Sequence, residues 1–261
     1  MDKFSEYEVL VLQRIKNKTI RVCEECVDGW LQKGDSIIEC ECRKVFMFLK
    51  ELVYARIPQE YWHLKFRKLE LDKLVRMEFN RYFGDFEIAF EKGLGFCMMG
   101  TNGTGKTSLL AEIGKFSVRE GINTIYTTAQ DYINYKMLND YDNIERIENA
   151  DVILFDEIDK PYQKKGSDYV LSQLENFLRN ILPKNKVLNI ATNWTEKEIK
   201  HYLGDSVFSI MLRKLKFISV LGEDISEDLQ NNWDRRLESG KINYLNEHFI
   251  KMAETMKRFQ I

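Results

Sequence analysis

The octapeptide GTNGTGKT, at residues 100–107, combines the residue types that hold a polyphosphate in proteins. Gly100 and Gly105 are separated by four residues and are followed by Lys106 and by the hydroxyl of Thr107. Glycine lets the backbone approach phosphate oxygens, and the N–H groups of a following helix face the anion. We expect Lys106 to reach the β- and γ-phosphates of a nucleoside triphosphate, with a chance glycine-rich turn as the alternative. The predicted loop residues are Gly100, Thr101, Asn102, Gly103, Thr104, Gly105, Lys106, Thr107 and Ser108.

Two acids and an amide follow two further apolar runs, in VILFDEID and IATNW. Asp156 is predicted to lie in the nucleotide site and to hold Mg²⁺ through a water molecule. The hydroxyl of Thr107 can serve as a further oxygen ligand of this ion. Glu157 can polarise the attacking water, whereas Asp159 is interpreted as structural. Asn193 can position this water beside the γ-phosphate, so the predicted catalytic residues are Lys106, Glu157 and Asn193. Acidic capping of a buried strand and an ordinary strand-end turn are the alternatives for the acids and for the amide.

Four of the five cysteines are clustered, as C-x-x-C, a spacer of thirteen residues and C-x-C. Four thiolates suit tetrahedral Zn²⁺, and so short a segment has too little apolar core to become ordered without a cross-link such as a bound metal. The predicted zinc ligands are Cys23, Cys26, Cys40 and Cys42, with buried reduced cysteines as the alternative. Cys97 lies inside an apolar run and is interpreted as core.

The elements that must position these residues alternate between apolar segments and helical patterns. The apolar segments are GFCMM, NTIYTT, DVILF, KVLNIAT and KFISVL. The helical patterns cover residues 106–119 and 168–181, and two more begin at Ala129 and Glu196. This alternation predicts an α/β fold with a parallel sheet covered by helices on both faces.

A different organisation precedes this alternation. Residues 1–20 have the pattern of an amphipathic helix, and a second apolar pattern from Val45 to Tyr54 is interrupted at Pro58. We therefore predict a zinc-binding module at residues 1–55 and a core at residues 56–226. The remaining segment, residues 227–261, has the pattern of a helical tail.

Composition restricts the class of protein. At 261 residues and 44% apolar composition the chain can bury a sizeable core. It has no apolar run of eighteen uncharged residues, and residues 1–10 are too acidic for a signal peptide, so we expect a cytoplasmic protein without a membrane partner. Residues 160–216 carry eleven basic against five acidic residues, which indicates either solvated surface or a face for a phosphate backbone.

Taken in order, the motifs resemble those of the DnaC/IstB-type AAA+ ATPases, which include bacterial and phage helicase loaders. The resemblance covers residues 23–226 and rests on IPQEYW, GTNGTGKTS, TIYTTAQDYI, VILFDEID, IATNW and LGDSVFSIMLRKLKFISVLGED. It implies an AAA+ P-loop core that binds ATP or ADP with Mg²⁺. Asp156 and Glu157 correspond to the Walker B pair, and Asn193 to sensor 1. Phage members of the group often carry a similar cysteine module, which favours Zn²⁺.

The chain departs from the family's pattern at two positions. Ser206 stands where members usually have an arginine after GD or GE, and Ser226 stands in place of the arginine of GxDxR. An arginine finger stabilises the charge of the transferring phosphoryl group, so we expect slow intrinsic ATP hydrolysis. Arg213 is either a substitute finger or an ordinary surface residue.

The resemblance therefore implies an ATP-dependent loader that places a replicative hexameric helicase on single-stranded DNA, in a phage-infected or bacterial cytoplasm. Its N-terminal module would dock on the helicase, and the protein would form a homo-oligomer when ATP is bound. One alternative is a transposition-helper ATPase that binds duplex DNA, against which the cysteine module argues. Another is an adaptor whose bound nucleotide is not hydrolysed, which the missing arginines leave open.

Overall fold

The computed structural model describes residues 5–161 and 168–221, which form two compact units. The N-terminal unit contains residues 5–56, and the core unit contains the described residues from 57 onward. Ser226 and the predicted tail at residues 227–261 lie outside the described residues.

The N-terminal unit consists of two helices that pack together and a β-hairpin between them in sequence. Its elements are α1 (Glu6–Thr19), β1 (Trp30–Lys33), β2 (Ser36–Glu39) and α2 (Glu41–Tyr54). The hydroxyl of Ser5 accepts a hydrogen bond from the N–H of Glu8, whose carboxylate accepts one from the N–H of Ser5. This capping box fixes the start of α1 inside the predicted helical segment. The hairpin was not predicted, because its strands lack a buried face: Leu31 is half-buried and the other seven strand residues are exposed.

The core unit is built on a parallel sheet of five strands in the order β4-β5-β6-β3-β7. The strands are β3 (Gly95–Met99), β4 (Thr124–Thr128), β5 (Val152–Asp156), β6 (Val187–Thr192) and β7 (Leu215–Ser219). Every residue of β3, β5 and β6 is buried, as expected for strands covered on both faces. The predicted parallel sheet is confirmed.

Helices cover both faces of this sheet. They are α3 (Lys73–Gly84), α4 (Phe86–Glu91), α5 (Lys106–Arg119), α6 (Ala129–Leu138), α7 (Tyr141–Asn149), α8 (Asp168–Ile181) and α9 (Glu196–Lys214). On one face, α5 packs so closely that a Cβ at Gly114 would lie 2.5 Å from a methyl group of Leu154. On the other face, Ile153 and Phe155 join a buried apolar cluster with residues of α6, α8 and α9. The four predicted helical segments are confirmed as α5, α6, α8 and α9.

Cys97 lies in β3 and is fully buried, as predicted. In the part of the chain that the structure describes, no helix combines the length and the apolar composition that crossing a bilayer requires.

Candidate functional site

The loop at residues 100–105 connects the end of β3 to the start of α5. Gly103 and Gly105 have φ values of 77° and 89°, which glycine adopts without strain. At Gly100, a Cβ would lie 2.4 Å from the backbone oxygen of Val220, so only glycine fits beside the chain that follows β7. No side chain caps the first turn of α5, and its N–H groups are therefore open to an anionic ligand.

The side chain of Lys106 is folded back along this loop. Its Nζ donates hydrogen bonds to the backbone oxygens of Gly100 (2.9 Å) and Thr101 (2.6 Å) and to Oδ1 of Asn193 (3.0 Å). Burial lowers the pKa of Lys106, and the nearby carboxylate of Asp156 opposes this effect. The structure thus brings Lys106 and Asn193 together, although 87 positions separate them in the sequence.

Asp156 is the last residue of β5 and is almost completely buried beside the first turn of α5. Its Oδ2 accepts hydrogen bonds from the hydroxyls of Thr107 and Tyr126, both at 2.8 Å. Burial raises the pKa of Asp156, and these two hydrogen bonds act in the opposite direction. A hydroxyl and a carboxylate held this close offer the oxygen ligands that Mg²⁺ prefers, so the donor set fits this cation.

Glu157 follows Asp156 in a left-handed backbone conformation, with φ of 54°. Its N–H donates to Oδ1 of Asp156 at 2.8 Å, so the turn that strains Glu157 also orients the preceding carboxylate. Glu157 itself is exposed to solvent. Strained, non-glycine residues of this kind are concentrated at functional sites.

Asp159 reaches the neighbouring strand end. It is fully buried, and its carboxylate accepts hydrogen bonds from the hydroxyl of Thr192 (3.1 Å), the N–H of Asn193 (2.9 Å) and Nδ2 of Asn193 (3.0 Å). Because β5 and β6 are adjacent and parallel, their carboxyl ends meet at one edge of the sheet. Asp159 therefore joins the acidic segment to Asn193.

The sequence predicted no role for Tyr126, whose hydroxyl contacts Asp156, or for Lys115, which lies further along α5. Lys115, on α5, is nearly buried, and its Nζ donates to the backbone oxygens of Tyr61 (2.9 Å) and Leu64 (2.6 Å) and to Glu112 (2.6 Å). Burial is the main cause that raises the pKa of Tyr61, and the charges of Glu60, Asp156 and Glu157 add to this effect. Lys115 thus ties the IPQEYW segment to the helix that begins at the phosphate loop.

Serine occupies both positions, 206 and 226, where the resemblance leads one to expect an arginine finger. Ser206 accepts a hydrogen bond from Arg179 at 3.0 Å, and Ser226 lies outside the described residues. Arg213 is exposed just before β7, whose first residue pairs with Gly95 at the start of β3. The phosphate loop follows the opposite end of β3, so Arg213 lies far from the phosphate loop of its own chain.

The four clustered cysteines converge in the N-terminal unit. Their Sγ atoms all lie within 4.8 Å of one another, with Cys23 and Cys40 at 3.8 Å and Cys26 and Cys42 at 3.4 Å. In a tetrahedral site with Zn–S bonds of about 2.3 Å, the sulfur atoms are about 3.8 Å apart. The arrangement therefore fits Zn²⁺ without rearrangement of the backbone.

Known proteins share part of this sequence and much of the fold. Residues 96–213 match the family described as ATPases associated with various cellular activities (AAA), whereas no curated protein matches the sequence. The structure of the DnaC helicase loader superimposes with a TM-score of 0.54 at 17% identity, over 62% of this chain and 99% of that chain. The corresponding values for DnaI are 0.54, 16%, 64% and 93%. Those for AMPPCP-bound DnaA from Aquifex aeolicus are 0.50, 16%, 78% and 70%.

Identities this low show a shared fold. The predicted fold class is confirmed: the chain contains an AAA ATPase domain with a P-loop, and it shares its fold with the DnaC and DnaI structures.

Proposed function

We propose that this protein is an ATP-dependent loader that places a hexameric replicative helicase on single-stranded DNA. The observation that carries the proposal is the combination of an AAA ATPase core, whose fold is shared with a helicase loader, and a separate N-terminal unit with four converging thiols. The core supplies a nucleotide-dependent change, and the N-terminal unit supplies a docking surface. We place this activity in the cytoplasm of a bacterial or phage-infected cell.

The residues at the carboxyl edge of the sheet have separate roles in ATP hydrolysis: phosphate binding, Mg²⁺ binding and activation of water. The backbone of residues 100–105 and the first turn of α5 bind the phosphates, and Lys106 leaves its present acceptors to neutralise their charge. Thr107 and Asp156 hold Mg²⁺, which neutralises developing charge on the phosphates when bound. Glu157 orients and polarises the attacking water, and Asn193 positions it.

The four cysteines hold one Zn²⁺ in this proposal, and the metal stabilises the N-terminal unit. The β1–β2 hairpin has almost no buried residue, and an isolated two-stranded hairpin is only marginally stable in water. Cys23 and Cys26 precede the hairpin, and Cys40 and Cys42 follow it. Metal–thiolate bonds across these ends supply the free energy of folding that a small apolar core does not.

The N-terminal unit also presents apolar side chains to solvent. The most exposed are Tyr7 and Leu10 on α1, Val22 and Val27 before the hairpin, and Ile37 on β2. A contiguous exposed apolar patch is typical of a protein–protein interface, and we propose that these side chains contribute to one. This surface supports docking on the helicase by the N-terminal unit.

Single-stranded DNA is assigned to the core. Described basic residues from Lys160 to Lys216 exceed acidic ones, and phosphate contacts made by lysine and arginine dominate nucleic-acid affinity.

We propose that ATP-bound subunits assemble on DNA and that the site turns over slowly in the isolated protein. Ser206 supports slow turnover, because a hydroxyl that accepts a bond from Arg179 cannot supply the charge of an arginine finger. The same observation favours, as a second candidate, an adaptor that keeps its nucleotide.

The test is a pull-down of a hexameric replicative helicase by the full chain, with single-stranded and duplex DNA as competitors. We expect helicase binding that Ile37→Glu abolishes, and single-stranded DNA binding that weakens as salt rises. Leu138→Glu is the matched control, since Leu138 is an equally exposed apolar residue of the core unit. Tight duplex binding without helicase contact would instead indicate a transposition helper.

A further inference from the structure

Asp159 is a buried carboxylate that the proposed chemistry leaves without a role. It is fully inaccessible to solvent, three residues beyond Asp156, and all its contacts described above are with Thr192 and Asn193. A buried carboxylate is retained at low free energy only when hydrogen bonds satisfy its oxygens. Asn193 supplies two of the bonds named here, one from its backbone and one from its side chain.

These contacts determine which way the amide of Asn193 faces. An ionised carboxylate only accepts hydrogen bonds, so the group opposite Oδ2 of Asp159 must be the NH₂ of Asn193. The amide oxygen of Asn193 is then directed to the other side, where it accepts from Nζ of Lys106 at 3.0 Å. An ammonium group only donates, so both ends of the amide are matched to their partners.

We propose that Asp159 is a positioning residue for ATP hydrolysis, which keeps the oxygen of Asn193 facing the γ-phosphate site. When the phosphates draw Lys106 away, this oxygen becomes the acceptor for a proton of the attacking water. With the amide reversed, the NH₂ group faces the phosphates, where it donates to a phosphate oxygen and cannot orient the water. The inference rests on the proposed role of the loop and Asn193 in ATP hydrolysis, and it is independent of the helicase partner.

Asp159→Asn tests the inference, because asparagine has the same shape but presents an NH₂ group where the carboxylate oxygen accepts. Two facing NH₂ groups repel, so the amide of Asn193 should reverse. We expect kcat to fall at least about tenfold. KM for ATP should fall rather than rise, because slow turnover brings KM close to the dissociation constant of ATP. The affinity for a non-hydrolysable ATP analogue, measured by fluorescence titration, should rise several-fold relative to the affinity for ADP, because a donor now faces the γ-phosphate.

Two comparisons separate positioning from a purely structural role. Thr192→Val also removes a hydrogen bond to Asp159 but leaves the bond to Nδ2 of Asn193, so the ratio of analogue to ADP affinity should stay at the wild-type value. In an Asn193→Ala background, Asp159→Asn should change neither kcat nor this ratio, since the amide through which it acts is gone. If Asp159→Asn does not fold, Asp159→Ser replaces it. The amide of Asn193, no longer held by a carboxylate, should then change the ratio of analogue to ADP affinity in the same direction by a smaller amount.

An unchanged affinity ratio in a folded Asp159 variant would overturn the inference, as would equal effects of Asp159→Asn with and without Asn193. Both outcomes leave nucleotide binding by the wild-type protein intact. Failure of the wild-type protein to bind either nucleotide would instead overturn the proposed function, together with the inference that rests on it.

Discussion

Replacing Lys115 by methionine tests how firmly the IPQEYW segment is held against α5. Methionine preserves much of the apolar length of the side chain but removes the ammonium group. The backbone oxygens of Tyr61 and Leu64 and the carboxylate of Glu112 then lose this donor, although the oxygen of Tyr61 still accepts from the N–H of Leu64. The side chains of Lys115 and Glu112 are 4% and 12% exposed, so little water is available to replace it.

The magnitude follows from these contacts. Breaking a buried ion pair by removing one partner destabilises a fold by about 3–5 kcal/mol, and the partial exposure of Glu112 places this case at the lower end, about 3 kcal/mol. For a unit of this size, each kcal/mol corresponds to about 2–4 °C in melting temperature. We therefore expect Lys115→Met to lower the melting temperature of the core by about 6–12 °C.

The assay is thermal unfolding of the nucleotide-free protein followed by circular dichroism, with Lys186→Met as control. Lys186 is half-buried and donates a hydrogen bond to the backbone oxygen of Ala150 at 2.7 Å. Loss of one bond from a charged donor that is half-buried is worth about 1.5 kcal/mol, so we expect a decrease of about 3–6 °C, below that of Lys115→Met. Equal decreases for the two variants would refute the tether formed by Lys115.

Four further predictions concern the functional residues. Lys106→Ala should abolish binding of a fluorescent ATP analogue, whereas Glu157→Gln should keep binding and lose turnover; wild-type affinity in Lys106→Ala would contradict the nucleotide site. Metal analysis should find about one Zn²⁺ per chain at the clustered thiols, and a chelator should unfold the N-terminal unit while ATP binding persists; zinc-free protein purified without chelator would argue against the metal. Burial raises the pKa of Asp156, so its protonated form contributes stability that is present below the unfolded value of 3.8 and is lost as pH rises through the higher folded pKa. Asp156→Asn should therefore raise the melting temperature of the nucleotide-free protein at pH 7 and weaken stabilisation by Mg²⁺ and ATP, and a lower melting temperature would be inconsistent with this reasoning. Arg213→Ala should leave ATP turnover unchanged; a rate that rises with protein concentration and is lost in this variant would assign Arg213 to a neighbouring subunit's site.

Much of the core was predictable because its signals are local. Glycine spacing, apolar runs and helical periodicity each extend over fewer than twenty residues, and they located β3, α5 and α8 correctly. The alternation of strands and helices also predicted a parallel sheet with both faces covered. Local patterns of this kind do not encode which strands are neighbours.

The missed residues depend on that adjacency. Tyr126 pairs with Leu154, two positions before Asp156, so both hydroxyl and carboxylate lie on one side of the sheet only in this register. Lys115 has the pattern of a solvated charge on an amphipathic helix, and it is buried because a distant segment covers it. The β1–β2 hairpin has no apolar face, so periodicity gives no signal for it.

The left-handed backbone at Glu157 has a consequence for engineering this protein. Such a conformation costs about 1–3 kcal/mol for a residue with a side chain, and glycine relieves it. A screen that selects variants by heat resistance alone would therefore enrich glycine at position 157, and every variant so chosen would lack the carboxylate that we propose acts on water. Stabilising this ATPase without inactivating it requires that position 157 be held fixed while the rest of the chain is varied.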